Sequence, residues 1–362
     1  MVKLNGSASM TERTMTAVRL TGHGGPDKLD YRTDVPVPTP RSDEVLIEVG
    51  AAGINNTDVW TREGAYGRAD DPKATSGWRR GGGLDFPRIQ GGDIAGRVVE
   101  VGANVNSDRM GERVLVDFTL YSDQGDGLID AGLIGSERDG GFAEYVAVPA
   151  ENAHAIETSL SDAELATFPI AYVTAERMLN RVRLAAGETI LVTGASGGVG
   201  SALVQLARRR NAHVVALTGP GKEAQLHELG AEIVSIRDRD DWPQCLQTEL
   251  GERAVDVVAD VVGGTVFNDL LGILRPEGRY VTAGAIAGPM VELDLRTLYL
   301  KHLELIGSTM GTRREFADLV RYIESGEIKP LLARTYPLSE LKQAQRDFLE
   351  KRFFGKLVVI PK

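Results

Sequence analysis

Between Thr16 and about Pro149 the apolar residues come in short alternating or continuous runs, VLIEVGAAGI, IAGRVVEVGA, RVLVDFTL and FAEYVAVPA, cut apart by Gly, Pro and Asp. Runs of this length with turn residues between them predict an antiparallel β domain. Near Ser161 the period lengthens. LSDAELATFPIAYVTAERMLNRV carries apolar residues at helical spacing, and Asp162 and Glu164 near its start suit the positive end of a helix, so the pattern predicts a helix leading into a second domain. Strands and helices then alternate: TILVT, a glycine turn, ALVQLARRR, HVVALT, KEAQLHELG, EIVSI, DDWPQCLQTELG, VDVVADVVG, VFNDLLGIL, RYVTAGA and LELIGS. Alternation of this kind predicts a parallel sheet with helices on both faces. Past Gly311 two more helical patterns precede a closing strand, KLVVIP.

Two stretches rich in Gly and charge, 62–88 and 121–141, have weak periodicity and read as long surface loops beside a pocket. Four arginines between Arg62 and Arg80 suit an anionic substrate, and a solvated loop explains them as well.

The turn GASGGVG, Gly194 to Gly200, follows the strand TILVT and opens the helix VGSALVQLARRR. In that context a dinucleotide pyrophosphate can approach backbone N–H groups at the positive end of a helix, and a side chain at Gly197 or Gly198 would hold it away. Ser196, Gly197, Gly198 and Val199 are therefore candidate cofactor contacts, while Gly200 lets the helix pack closely on the strand. An acidic residue at the end of the second strand would accept from the ribose 2′-OH and repel a 2′-phosphate. HVVALTGPGK has none. Thr218 and Gly219 form the tip, Lys222 follows and Arg237 ends the next strand, a local positive charge that favours NADPH over NADH. The alternative for Lys222 is a solvated charge that merely begins a helix. Gly284, Ala285, Ser308 and Thr309 follow later strands, on the sheet edge where such folds bind ligands, and their small size would admit a nicotinamide or simply serve the turns.

Composition narrows the partners. The 362 residues are 42% hydrophobic and 25% charged, enough for two packed domains and unlike a disordered chain. With 41 Lys and Arg against 51 Asp and Glu, a formal net charge of −10 has the wrong sign for tracking nucleic acid. The single cysteine, Cys245, excludes an intrachain disulfide and fits a reducing, cytoplasmic setting. Neither a signal peptide nor an apolar run long enough to span a membrane is apparent.

GINNTDVWTREGAYG, IQGGDIAGRVVEVGANV, GERVLVD, GGFAEYVAVPA, GASGGVG, VVADVVGG and GKLVVIP, in this order, resemble the medium-chain dehydrogenase/reductase superfamily, and within it the zinc-free quinone oxidoreductase-like branch. The resemblance covers almost the whole chain from about Met15. It implies an α/β protein with a GroES-like β-rich catalytic domain (1–170), a Rossmann NADP-binding domain with a doubly wound parallel sheet (171–311) and a C-terminal return to the catalytic domain (312–362), with the active site in the cleft between. Zinc-bearing relatives carry a cysteine where Asn55 stands, a His-Glu pair where Gly92 and Asp93 stand and a third ligand near Ile170. The resemblance therefore implies a metal-free site, and the five histidines, His23, His154, His213, His227 and His302, read as structural or solvated.

Without a metal, hydride from NADPH can still add to a quinone, an enone or an enoyl thioester if hydrogen-bond donors stabilise the developing oxyanion. The resemblance puts Asn55 beside the nicotinamide and Tyr66 facing the substrate, as a donor or as a packed lid. It also suggests Thr174 near the nicotinamide or phosphates, where the alternative is a helix threonine bonding its own backbone. Asp58 reads as a brace of the local turn and Trp60 as a wall of the cleft. The expected partners are a small-molecule substrate and, through the edge strand LELIGS, a second copy in a homodimer. A non-catalytic, crystallin-like NADPH-binding protein and a stand-alone polyketide-type enoyl reductase remain as alternatives.

Overall fold

The computed structural model describes residues 13–66, 84–122, 127–128, 131–239 and 241–362. Most of the stretch 62–88, part of 121–141 and the N-terminal residues before Arg13 lie outside the described residues.

The C-terminal half of the chain winds around a six-stranded, all-parallel sheet. Its order is Ile233–Ile236, His213–Thr218, Thr189–Thr193, Val255–Asp260, Leu274–Thr282 and Glu304–Gly307. Period-two alternation divides each central strand between two cores. Ile190 and Val192 join the larger core under the helices Pro169–Arg181 and Gly198–Arg209, while Leu191 points the other way into a smaller core with Trp242, Leu246 and Leu270. Burial on both faces is what makes these strands continuous apolar runs in the sequence.

The other large sheet is mostly antiparallel, in the order Ala153–Ala155, Arg113–Val116, Asp93–Val101, Glu44–Gly53, Lys356–Ile360 and Leu332–Pro337. Tyr145–Pro149 also pairs with Glu44–Gly53. The closing strand thus sits beside Glu44–Gly53, with Val358 opposite Gly53 and Val359 opposite Ala52. This pairing carries Gly355 and Lys356 back to the start of the helix Asn56–Glu63.

Three elements differ from the sequence reading. The helix expected across 160–182 is two, Asp162–Leu165 and Pro169–Arg181. A capping box between Ser161 and Glu164 starts the first, and Pro169, with no N–H to give, stands at the start of the second. A short helix, Leu295–Leu300, and a strand, Leu332–Pro337, were not anticipated; both are largely exposed and so lack a periodic apolar signature.

Candidate active site

Between the two sheets runs a cavity of about 1190 Å³. One wall is the carboxyl edge of the parallel sheet. The strand order reverses between Thr189–Thr193 and Val255–Asp260, and the glycine turn follows Thr193 at that switch point. Gly197 is the N-cap of the helix Gly198–Arg209 in extended conformation, and a Cβ built on it would meet nothing closer than 3.4 Å. Gly200 is different: its Cβ would lie 2.2 Å from the Gly194 carbonyl oxygen, so only glycine lets helix and strand approach this closely. Asp260, fully buried, accepts hydrogen bonds from the Thr193 hydroxyl (2.5 Å), the Tyr280 hydroxyl (2.5 Å) and the backbone N–H of Val262 (2.8 Å). It thereby fixes the turn into Gly263 and Gly264, both at positive φ, of which Gly263 lines the cavity.

The second wall comes from the helix Asn56–Glu63 and the closing segment 348–356. Asn55 is the N-cap of that helix, and Asp58 braces it by accepting from the Asn55 backbone N–H at 2.7 Å. Burial pushes the Asp58 carboxyl up to about 7 against the pull of that hydrogen bond. The Asn55 amide cannot flip. Its Oδ1 accepts from the Lys356 ammonium at 2.5 Å and its Nδ2 donates to Asp93 Oδ2 at 2.8 Å, and an ammonium only donates while a carboxylate only accepts. Lys356 also donates to Asp93 Oδ2 (2.7 Å) and the Ile54 carbonyl (3.0 Å), so three oxygens satisfy its three protons. Asp93 Oδ1 accepts from the Ile170 N–H at 2.7 Å. One N–H of the Asn55 amide is thus used; the other has no partner among the described residues, and Asn55 lines the cavity.

Tyr66 stacks edge-on against Trp60 with ring centroids 5.7 Å apart, and both line the cavity. Burial holds the Tyr66 phenol above its ordinary pKa, outweighing the opposite pull of its hydrogen bond with Thr57. It therefore stays a protonated donor at neutral pH. At the other end, Lys222 Nζ donates to the Ser196 hydroxyl at 3.2 Å and to the Lys351 carbonyl at 3.1 Å. Lys222 is half-buried rather than solvated, and burial followed by the Arg237 charge lowers its pKa.

The cavity brings together every residue singled out in the sequence as catalytic or cofactor-binding, from Asn55, Tyr66 and Thr174 through the glycine turn and the Thr218 tip to Gly284, Ala285, Ser308 and Thr309. Arg62 is not free to meet a substrate: it is buried and spent on Gly24 O, Gln345 and Glu63. Arg68, Arg79 and Arg80 lie outside the described residues. Sequence reasoning missed His23, Thr57 and Lys351, which also line the cavity. His23 Nδ1 donates to the Thr61 carbonyl at 3.0 Å, a link across 38 positions with no local signal. Among the described residues no group of three or more His, Cys, Asp or Glu is placed to hold a metal ion.

Comparison with known proteins gives two family matches, an alcohol dehydrogenase GroES-like domain over residues 41–158 and a zinc-binding dehydrogenase domain over residues 198–325. A quinone oxidoreductase of Mus musculus is 31% identical over 361 residues, covering 96% of this chain and 98% of its own. Among solved structures, a putative alcohol dehydrogenase from Sinorhizobium meliloti 1021 is 61% identical with a TM-score of 0.93, covering 96% of this chain and 97% of its own. The 2-octenoyl-CoA carboxylase reductase CinF, solved in complex with NADP and 2-octenoyl-CoA, is 28% identical with a TM-score of 0.85 and coverages of 96% and 88%.

Proposed function

Because the chain belongs to the medium-chain dehydrogenase/reductase superfamily, in its quinone oxidoreductase-like part, we propose that it is an NADPH-dependent, zinc-independent reductase of a quinone or an activated C=C bond. The observation that carries this reading is that the fixed Asn55 amide and Tyr66 line one cavity with a dinucleotide-type glycine turn. The residues fit a nicotinamide dinucleotide: a Cβ-free turn at a helix N-terminus, a strand tip without a carboxylate, and Lys222 and Arg237 beside it. A zinc ion does not fit. Asn55, Gly92 and Ile170 offer one amide oxygen between them, and the Lys356 ammonium already holds that oxygen together with Asp93.

When bound, NADPH supplies a hydride. Addition of that hydride to a quinone, enone or enoyl thioester leaves negative charge on the acceptor's oxygen, which must find hydrogen bonds. In this reading the second N–H of Asn55 and the hydroxyl of Tyr66 supply those hydrogen bonds. Asp93 and Lys356 position Asn55, and Trp60 packs against Tyr66. Support for the acceptor class also comes from the relatives, whose names are those of a quinone oxidoreductase and a 2-octenoyl-CoA carboxylase reductase.

An NADPH-oxidation screen against quinones, enones and enoyl-CoA esters tests the reading. Turnover with a member of the panel, with no loss after chelation, is the expected result. Tight NADPH binding without turnover of any member would instead favour a binding protein, and stoichiometric zinc whose removal abolishes activity would overturn zinc independence.

A further inference from the structure

We propose that His23 selects the substrate: its Nε2 accepts a hydrogen bond from an N–H or O–H that the substrate carries away from its reacting group. The inference rests on the reading of the cavity as a reductase site.

The ring is mounted before any ligand arrives. His23 Nδ1 lies 3.0 Å from the Thr61 carbonyl oxygen, and a carbonyl only accepts, so Nδ1 carries the proton and Nε2 of the neutral ring carries a lone pair. The Phe86 ring meets the imidazole edge-on, centroids 5.0 Å apart. The next residue is clamped to the same helix, Asn56–Glu63, in both directions: Gly24 N–H donates to the Arg62 carbonyl at 2.8 Å, and Arg62 Nη1 donates to the Gly24 carbonyl at 2.6 Å. A guanidinium as buried as that of Arg62 is costly unless its hydrogen bonds are met, and its bonds to Gly24 and Gln345 give the turn a fixed seat. Nε2 has no partner among the described residues, and the half-buried His23 lines the cavity.

Its place along the wall separates it from the dinucleotide. The segment that touches the glycine turn meets the helix at its start, where Lys356 holds Asn55 and the Gly355 N–H donates to the Ser196 carbonyl at 3.1 Å. Thr61 stands about 9 Å further along the helix axis. Trp60 and Tyr66 share that far end, because the Ala65 N–H donates to the Trp60 carbonyl at 2.8 Å and turns the chain back on the helix. Asn55 and Tyr66 offer protons, whereas the neutral His23 ring offers a lone pair. Water satisfies such an acceptor until a ligand displaces it. A ligand with an N–H or O–H in reach replaces that bond, and an apolar one leaves the lone pair unmet and binds less well. In the proposed substrate classes this donor is either an amide in the arm of a thioester or a hydroxyl on the distal ring of a quinone.

Two matched pairs distinguish these sources. One is the crotonyl thioester of N-acetylcysteamine against that of its O-acetyl counterpart, which lacks the N–H; the other is a naphthoquinone with a hydroxymethyl group on its distal ring against one with an ethyl group there. With saturating NADPH, the donor-bearing member of at least one pair should show a KM about tenfold lower at similar kcat, the mark of a contact made equally in ground and transition states. His23→Asn keeps a donor in the place of Nδ1 for the Thr61 carbonyl and lacks Nε2, and His23→Phe lacks both. Each should bring the two KM values to within about twofold, the loss falling on the KM of the donor-bearing member. His23→Gln, whose Oε1 can reach the place of Nε2, should restore part of the preference. Equal KM values within both pairs in the unmodified protein, a preference that survives in His23→Asn, or a loss shared by both members of each pair would overturn the proposal. Turnover of no quinone and no thioester would overturn the reading beneath it and the proposal with it, a result distinct from turnover without a donor preference.

Discussion

Lys356→Met tests the platform under Asn55. Lysine and methionine have similar reach, so the variant removes one charge and three hydrogen bonds while leaving little empty volume. The lysine and aspartate side chains are 4% and 0% exposed. What remains is a buried Asp93 carboxylate that keeps its hydrogen bonds from Asn55 Nδ2 and the Ile170 N–H and loses its counter-charge. Removing one partner of a buried pair costs about 3–5 kcal/mol, and the two surviving donors place this case at the lower end, about 3 kcal/mol. Adding Asp93→Asn removes the stranded charge, so the double variant should regain at least half of that loss although it carries one more substitution. Urea unfolding of the four proteins, without cofactor, gives the cycle. A Lys356→Met loss under about 1 kcal/mol, or a double variant as unstable as the two single losses added together, would refute the buried pair as drawn.

Tyr66→Phe should lower the rate of hydride transfer by about 10²–10³ while NADPH affinity stays nearly constant; an unaltered single-turnover rate would make Tyr66 a lid residue. Lys222→Ala should remove a charge-assisted contact of about 1.5–3 kcal/mol and narrow a preference for NADPH over NADH, whereas equal affinities in the unmodified protein would count against NADPH. The proposed homodimer would use the sheet edge Glu304–Gly307 and the exposed Met290, Tyr299 and Leu300 near it; Leu300→Glu should then yield a monomer by light scattering, and a monomeric unmodified protein at micromolar concentration would remove the idea. His154 packs on Phe316, and burial followed by the Arg109 and Arg313 charges pushes its imidazole down to about 4. The unfolded chain binds that proton near pH 6.5, so stability should fall by up to about 3 kcal/mol as pH drops from 6.5 to 4, and His154→Phe should flatten the decline in urea midpoints.

The parallel sheet was legible in the sequence because its central strands are buried on both faces and read as apolar runs between helices. The glycine turn and the uncharged Thr218 tip were legible for another reason: their chemistry is local, set by residues within one strand-turn-helix unit. The second wall was not. Lys356 reaches Asp93 across 263 positions and Asn55 across 301, and a lysine in GKLVVIP looks the same whether it is solvated or buried. Arg62 shows the converse, a residue that reads as surface charge and is in fact enclosed by Gly24, Gln345 and Glu63. Spacing along a chain carries a contact only where one element supplies both partners.

The same wall carries two groups whose charge depends on pH. Burial moves two of its ionisable groups toward neutrality from opposite sides, the Asp58 carboxyl up to about 7 and the Lys351 ammonium down to about 7. Below that pH the carboxyl is neutral and the ammonium charged; above it the reverse holds, so the pair runs from net positive to net negative over a narrow range. Asp58 keeps its structural task in either state, since one of its oxygens can still accept from the Asn55 N–H. Lys351 donates to Asn56 Oδ1 at 3.1 Å and lies over the Phe348 ring, and no carboxylate among the described residues pairs with it. The two groups answer to different neighbours, Asp58 to the Asn55 N–H and Lys351 to the charges of Lys356 and Lys222, and burial is the common cause that moves both toward neutrality.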